Sequence, residues 1–231
     1  MPVPFVLEIA VESVEAARAA ERGGAHRIEL CAHLDIGGIT PAIELQREAR
    51  AVLRIPVQVL IRPRAGDFFY TKNELESMKL QIEAAKQIGA GGVVLGVLKP
   101  DKSVDIETTR ELVRHADPLP VTFHRAFDET PDLLQALEDA CGTGAKRILT
   151  SGGAKDAITG IPTLRRLLAA TDDRIIVMPG GGIRSENVSE LLSATGAREI
   201  HSGLGTVLKY GSGDSARFET EVRKLATSRV V

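Results

Sequence analysis

Several carboxylates, imidazoles and guanidines of this 231-residue chain lie inside or just after short apolar runs, where an ionisable group is costly unless it has a partner or a task. Glu8 interrupts FVLEIAV and Glu29 interrupts RIELCA. Each needs a cation beside it, and two readings carry equal weight. One is an ion pair with Arg62, Arg125 or Lys99 that orders the structure; the other is a carboxylate that works as acid, base or ligand-orienting group. His124 lies in VTFHRAF and is followed at once by Arg125 and Asp128. A lone histidine in an apolar run is often a satisfied core residue, but this polar surrounding favours a general acid or base, or a hydrogen-bond donor to substrate. His201 in EIHSG has the same placement, while His26 and His115 read as surface residues.

A second group of residues suits anions. IRPRAGDFFY puts Arg62 and Arg64 around a proline, with Asp67 in the turn that follows, and guanidinium forks match carboxylate or phosphate oxygens. The bland alternative ties Arg62 to a neighbouring carboxylate and leaves Arg64 free to cover a ligand. Gly180, Gly181 and Gly182 precede Arg184 and Ser185; they read either as a tight turn or as a strand end opening a helix whose N–H groups hold an anion. Ser151 in SGGA repeats that chemistry one strand earlier. Cys31 and His33 form a C-x-H pair, and thiolate and imidazole are copper(I) ligands. Two ligands do not complete a site, so spacing alone ranks metal binding below anion binding.

These residues depend on a repeating scaffold. Strand-like runs recur at 5–11, 27–32, 56–63, 92–98, 120–127, 147–152, 174–181 and 199–203, and the stretches between them carry apolar residues at helical spacings. Ser13, Thr40, Thr130 and Ser185 stand where helix N-caps belong. GGAHRIEL, IGAGGVVL, TGAKRILT and TGAREIHS repeat one helix-to-strand join. Eight such units approach the ~250 residues typical of a (β/α)8 barrel. The expectation is an α/β fold: a single-domain (β/α)8 TIM barrel over 1–231, with strands about 5–203 and a closing helix about 213–227. The strand ends would then bring the residues above to one mouth.

Composition narrows the partners. Lys and Arg number 29 against 31 Asp and Glu, for a formal charge of -2, and no run of five like charges occurs, so neither nucleic acid nor an anionic membrane is an expected partner. No apolar run approaches the ~20 residues of a membrane helix, and the N-terminus lacks a signal-peptide pattern. A cytoplasmic protein is expected. Two cysteines without CxxC or HExxH make a structural zinc site an unsuitable reading, and no organic cofactor is expected.

IELCAHLDIGGITP, VLIRPRAGDFFYT, VVLGVLKPD, PVTFHRAFDET, RILTSGGA and VMPGGGI, in this order, closely resemble the successive motifs of the CutC family of copper homeostasis proteins. The resemblance runs from Glu8 to about His201. It implies a (β/α)8 barrel, a cytoplasmic location, frequent homo-oligomers and copper(I) handling. Family members commonly carry a cysteine in the first strand, proposed with a second-strand cysteine as copper ligands. EIAVES has Ala10 at the first position, Cys31 keeps the second, and HSGLG departs from the usual eighth-strand pattern while retaining His201 and Ser202. Copper would then use Cys31 with His33, or Cys31 from two subunits. The competing reading is an enzyme acting on a small phosphorylated or carboxylated metabolite, with Glu8, Glu29 and His124 catalytic. Its anion would be held by Arg62, Arg64, Asp67, Arg125, Asp128, Ser151, Gly180, Gly181, Gly182 and His201.

Overall fold

The computed structural model describes residues 5–204 and 215–228. Strands β1 (Val6–Val11), β2 (Arg27–Leu30), β3 (Val57–Leu60), β4 (Gly92–Leu95), β5 (Val121–Phe123), β6 (Arg147–Thr150), β7 (Ile176–Pro179) and β8 (Glu199–Ser202) alternate with eight helices. These are α1 (Val14–Gly23), α2 (Ile43–Val52), α3 (Lys72–Gln87), α4 (Ile106–Ala116), α5 (Leu133–Thr143), α6 (Ile161–Ala170), α7 (Val188–Thr195) and α8 (Ser215–Ala226). The strands pair in parallel in the order β7-β6-β5-β4-β3-β2-β1-β8, and a parallel bridge between Gly180 and His201 joins the two edges. This is the expected (β/α)8 barrel. The expected closing helix corresponds to α8, except that positions 213 and 214 lie outside the described residues. Among the described residues no helix is long and apolar enough to cross a membrane.

Strand periodicity sorts the side chains. Leu7, Ile9 and Val11 of β1 join Ala16 and Ala20 of α1 and Phe218 and Val222 of α8 in the main apolar cluster, so the strands' outward faces pack on the helices. Glu8, on the other face, is fully buried. The inward face is polar instead. Arg27 of β2 reaches past β1 to Glu199 of β8 and to Met178 Sδ of β7 at 3.0 Å, and Arg147 of β6 reaches past β7 to Glu199 at 3.0 Å. Bonds that skip a strand run through the barrel interior.

Local capping departs from the sequence reading at three joins. Ser13 caps α1, accepting from Ala16 N. Thr40, however, precedes a helix that starts only at Ile43; its hydroxyl accepts from Arg62 N and donates to Gln81. Asp132, not Thr130, caps α5 by accepting from Leu134 N and Gln135 N, because the hydroxyl of Thr130 is spent on Phe127 O. Ser185 likewise donates to Glu221, and α7 begins after Asn187.

Candidate functional site

Register builds the first part of the site. Glu8 of β1 lies opposite Arg27 of β2 and opposite His201 of β8, so one buried carboxylate has a cation on either side. Arg27 Nε donates to Glu8 Oε2, and His201 Nδ1 lies 2.8 Å from Glu8 Oε1. The far ring nitrogen, His201 Nε2, is 3.5 Å from Glu29 Oε2. Burial pushes the Glu8 carboxyl up, but the His201 hydrogen bond and the Arg27 charge outweigh it and hold it at about 2. Burial pushes Glu29 up to about 7, and the nearby Glu8 charge adds to this against the pull of His201. His201 also loses solvation, yet its two carboxylates raise it above the ordinary histidine value. Two acids are thus driven apart around one imidazole ring, which is how a fold makes one carboxylate permanently charged and leaves the other able to trade a proton near neutrality. Glu8, Glu29 and His201 are close enough together to surround a cation, and the Arg27 guanidinium already stands against Glu8 there.

The ion pairs expected for Glu8 and Glu29 with Arg62, Arg125 or Lys99 are not those found. Arg27 takes that place, together with His201. Arg62 points its guanidinium at carbonyls instead: Nη1 donates to Gly38 O at 2.9 Å and Nη2 to Gly66 O at 2.7 Å. Its carbon centre stands 4.8 Å over the Phe68 ring, and its Nε is buried without a partner.

At the C-terminal ends of the strands lies a cavity of about 270 Å³, lined by Glu29, Arg62, Phe68, His124, Arg125, Gly181, Gly182, Arg184 and His201 among others. The volume is just below the roughly 300–1,000 Å³ of drug-sized ligand sites, which suits a smaller molecule. His124 Nδ1 accepts from Ala126 N at 3.2 Å, while Nε2 is buried with no partner. Burial, helped by the Arg62 charge, lowers this ring to about 3, so it is neutral. Gly96 makes room for it, since a Cβ there would come within 2.7 Å of Nδ1. Arg184 has only the carbonyl of Ile183 as acceptor among the described residues, and burial lowers its pKa.

The remaining expected site residues serve neighbouring structure. Arg64 is not free to cover a ligand: it binds Asp67 at 2.8 Å and Glu74 at 2.5 Å. Asp128 is saturated, accepting from Thr150 Oγ1, Arg125 Nε and the N–H groups of Ser151 and Gly153, while Ser151 Oγ accepts from Arg125 Nη2 at 2.8 Å. Arg125 is therefore a neutralised part of the wall. Gly180 closes the barrel against His201, where a Cβ would strike Leu149 at 2.4 Å. Gly181 and Gly182 line the cavity but do not open a helix, because the turn continues to Asn187, whose side chain accepts from Arg184 N. Cys31 packs with Leu60, Val94 and Leu34, its Sγ 3.5 Å from Val11 O, and burial, then Glu29 and Glu12, push its thiol well up. His33 is exposed, in left-handed backbone at the start of a 3-10 turn. Arg184, Arg27 and Phe68 were not singled out by the sequence. The signal for Arg184 was its place just after the glycine run, on the mouth side of a βα loop.

A family model described as the CutC family matches residues 5–206. A protein of Agrobacterium fabrum (strain C58) named as a CutC family protein is 46% identical over 237 residues, 97% of this chain and 94% of its own. The copper homeostasis protein cutC homolog of Homo sapiens is 47% identical over 197 residues, 85% of this chain and 72% of its own. A crystal structure of CutC from Streptococcus agalactiae matches with a TM-score of 0.82 at 31% identity, over 86% of this chain and 98% of that one.

Proposed function

The chain belongs to the CutC family, whose human relative is named for copper homeostasis; from the geometry of the site we propose that its working surface is the barrel mouth and that this mouth binds a small anionic metabolite. One observation carries the reading: Arg62 and Arg184 line the same cavity and neither makes a direct ion pair with a carboxylate among the described residues, Glu186 acting on Arg184 only through its charge. Arg62 is buried, and a buried cation without a counter-charge costs several kcal/mol. Carbonyl oxygens and the Phe68 ring offset part of that cost for Arg62. An incoming phosphate or carboxylate would complete both guanidinium groups with charge-assisted hydrogen bonds.

Calorimetric titration with inorganic phosphate and with ribulose 5-phosphate, at fixed ionic strength, tests this. The wild type should bind, and Arg184→Gln should bind at least ~10-fold more weakly, about 1.4 kcal/mol. Absence of binding, or equal binding by the variant, would end the reading.

Copper(I) handling is the second reading, favoured by the relative's name and by Cys31, which lies beneath the cavity-lining Leu34 and Leu60. The donors of one chain fit copper(I) poorly. The thiol is buried and hard to ionise, and Met178 Sδ already accepts from Arg27. Among the described residues no second thiolate or free thioether stands beside Cys31, so another copy would supply it. An anaerobic copper(I) competition titration on wild type and Cys31→Ser separates the outcomes: tight binding lost in the variant supports copper, and weak binding unchanged by it removes copper as a ligand.

A further inference from the structure

Resting on the reading of the mouth as an anion site, we infer that the chain catalyses proton transfer at the carbon beside the carbonyl of a small phosphorylated or carboxylated aldehyde or ketone. In this assignment Glu29 takes the C–H proton and His124 Nε2–H holds the carbonyl oxygen. Such chemistry needs an anchor for the anion, a carboxylate base, and a neutral donor aimed at the oxygen that gains charge. The cavity holds one of each.

The donor is defined by its bonds. The backbone N–H of Ala126 donates to His124 Nδ1, so in the neutral ring Nδ1 is the acceptor and the proton sits on Nε2. That Nε2 is buried and has no partner among the described residues, a state that costs roughly 1–3 kcal/mol, and a ligand oxygen in the cavity would relieve it. Phe68, 4.8 Å from the imidazole centroid, and the close backbone of Gly96 hold the ring in place. The base lines the same cavity. Glu29 is fixed by His201 Nε2 at 3.5 Å, and His201 is fixed in turn by Glu8 at 2.8 Å. Glu8 and His201 are therefore positioning residues. The anchors are Arg62 and Arg184.

The step balances without a co-reactant. The C–H bond breaks and its proton passes to a Glu29 carboxylate oxygen. The electron pair left behind forms a carbon–carbon double bond as the carbonyl π pair moves to oxygen, against His124 Nε2–H. Returning the proton to the same carbon gives exchange; returning it to the former carbonyl carbon of a hydroxy-ketone, while the proton of the neighbouring hydroxyl passes to the former carbonyl oxygen, gives the isomeric aldehyde.

The probes are ribulose 5-phosphate and pyruvate in D2O, with solvent deuterium entering beside the carbonyl followed by proton NMR and binding measured in parallel by calorimetry. The wild type should exchange at least one probe above the buffer rate, which identifies the anion as phosphate or carboxylate. Glu29→Gln should lose at least ~100-fold of that rate with probe affinity kept within about threefold, and His124→Gln should lose a similar ~100-fold. Glu29→Asp, which retains the acid, serves where the glutamine variant does not fold and should keep partial exchange. Binding with neither probe exchanging, or exchange that survives Glu29→Gln, overturns the proton-transfer assignment and leaves anion binding intact. Failure of both probes to bind overturns the binding reading and this assignment with it.

Discussion

Arg27 and Arg184 both belong to the axis side of the barrel, and their surroundings are opposite. Arg27, near the strand starts, donates to Glu8, Glu199 and Met178, and Arg147 completes Glu199. In that layer two guanidinium groups meet two carboxylates and the charge closes. Among the described residues, the hydrogen-bond and ring partners of Arg184 and Arg62 at the mouth are carbonyl oxygens and an aromatic ring, and the neighbouring His124 is neutral with one nitrogen unsatisfied. Closed polar networks order a core; unclosed ones are stable only when something else completes them. The contrast therefore separates scaffold from site more sharply than residue type does, since both layers are built from Arg, Glu and His.

The strongest way to break this contrast is to open the closed layer. Arg27→Met leaves Glu8 and Glu199 buried with one cationic partner fewer, although His201 and Arg147 remain beside them. Removing one member of a buried pair costs 3–5 kcal/mol, and the surviving partners put the expected loss at the lower end, about 3 kcal/mol, read as a lowered midpoint in urea. A loss under about 1 kcal/mol would show that the layer is not held by its charges.

The next test lies where the two regions meet. A Glu29 carboxyl raised from 4.5 to about 7 binds its proton better in the folded state, so its contribution to stability is full below about pH 4.5 and is lost as pH rises through 7. His201, also raised, loses stability in the same direction, above its own folded value. Glu8, held at about 2, costs stability only as pH falls from 4.5 toward 2. The urea midpoint should therefore fall between about pH 5.5 and about pH 8.5, and Glu29→Gln should recover about 2 kcal/mol at the alkaline end with little change at the acid end. Parallel profiles for wild type and variant would place Glu29 with the closed layer.

Cys31 tests whether the apolar floor between the layers is only packing. It touches Leu60 and Val94 and lies at 1% exposure, so Cys31→Ala should cost on the order of 1 kcal/mol for the cavity it leaves, without altering phosphate affinity. A change in phosphate affinity of more than threefold would tie the thiol to the mouth.

Much of the scaffold was legible because its signals are local. Eight apolar runs and the helices between them follow from side-chain periodicity, and the observed strands fall within the expected runs. The need for a partner at Glu8 was equally plain from one charged residue in FVLEIAV. Its identity was not: Arg27 opens its strand and looks like a boundary residue until parallel register sets it opposite Glu8. Arg62 and Arg64 are two residues apart, yet only Arg62 lines the cavity, because Asp67 and Glu74 hold Arg64 outside it. Caps at Thr40, Thr130 and Ser185 failed for a related reason: each hydroxyl found a tertiary or turn acceptor, and the helix began two or more residues later. Pairing across strands is decided by register and competition, which a linear pattern does not encode.

The smallest stability effect should come from the residue with the largest effect on binding. Arg184→Gln removes a half-buried cation whose acceptor is the carbonyl of its own neighbour, and burial already weighs against its charge. Its loss leaves no carboxylate unpaired among the described residues, so the urea midpoint should move by no more than about 0.5 kcal/mol in either direction. In the same protein the phosphate affinity falls at least ~10-fold. Arg27→Met should do the reverse, costing stability while phosphate binding by the folded fraction stays within about threefold. If Arg184→Gln instead unfolds the chain, the mouth is a closed network after all, completed by an interaction other than a ligand.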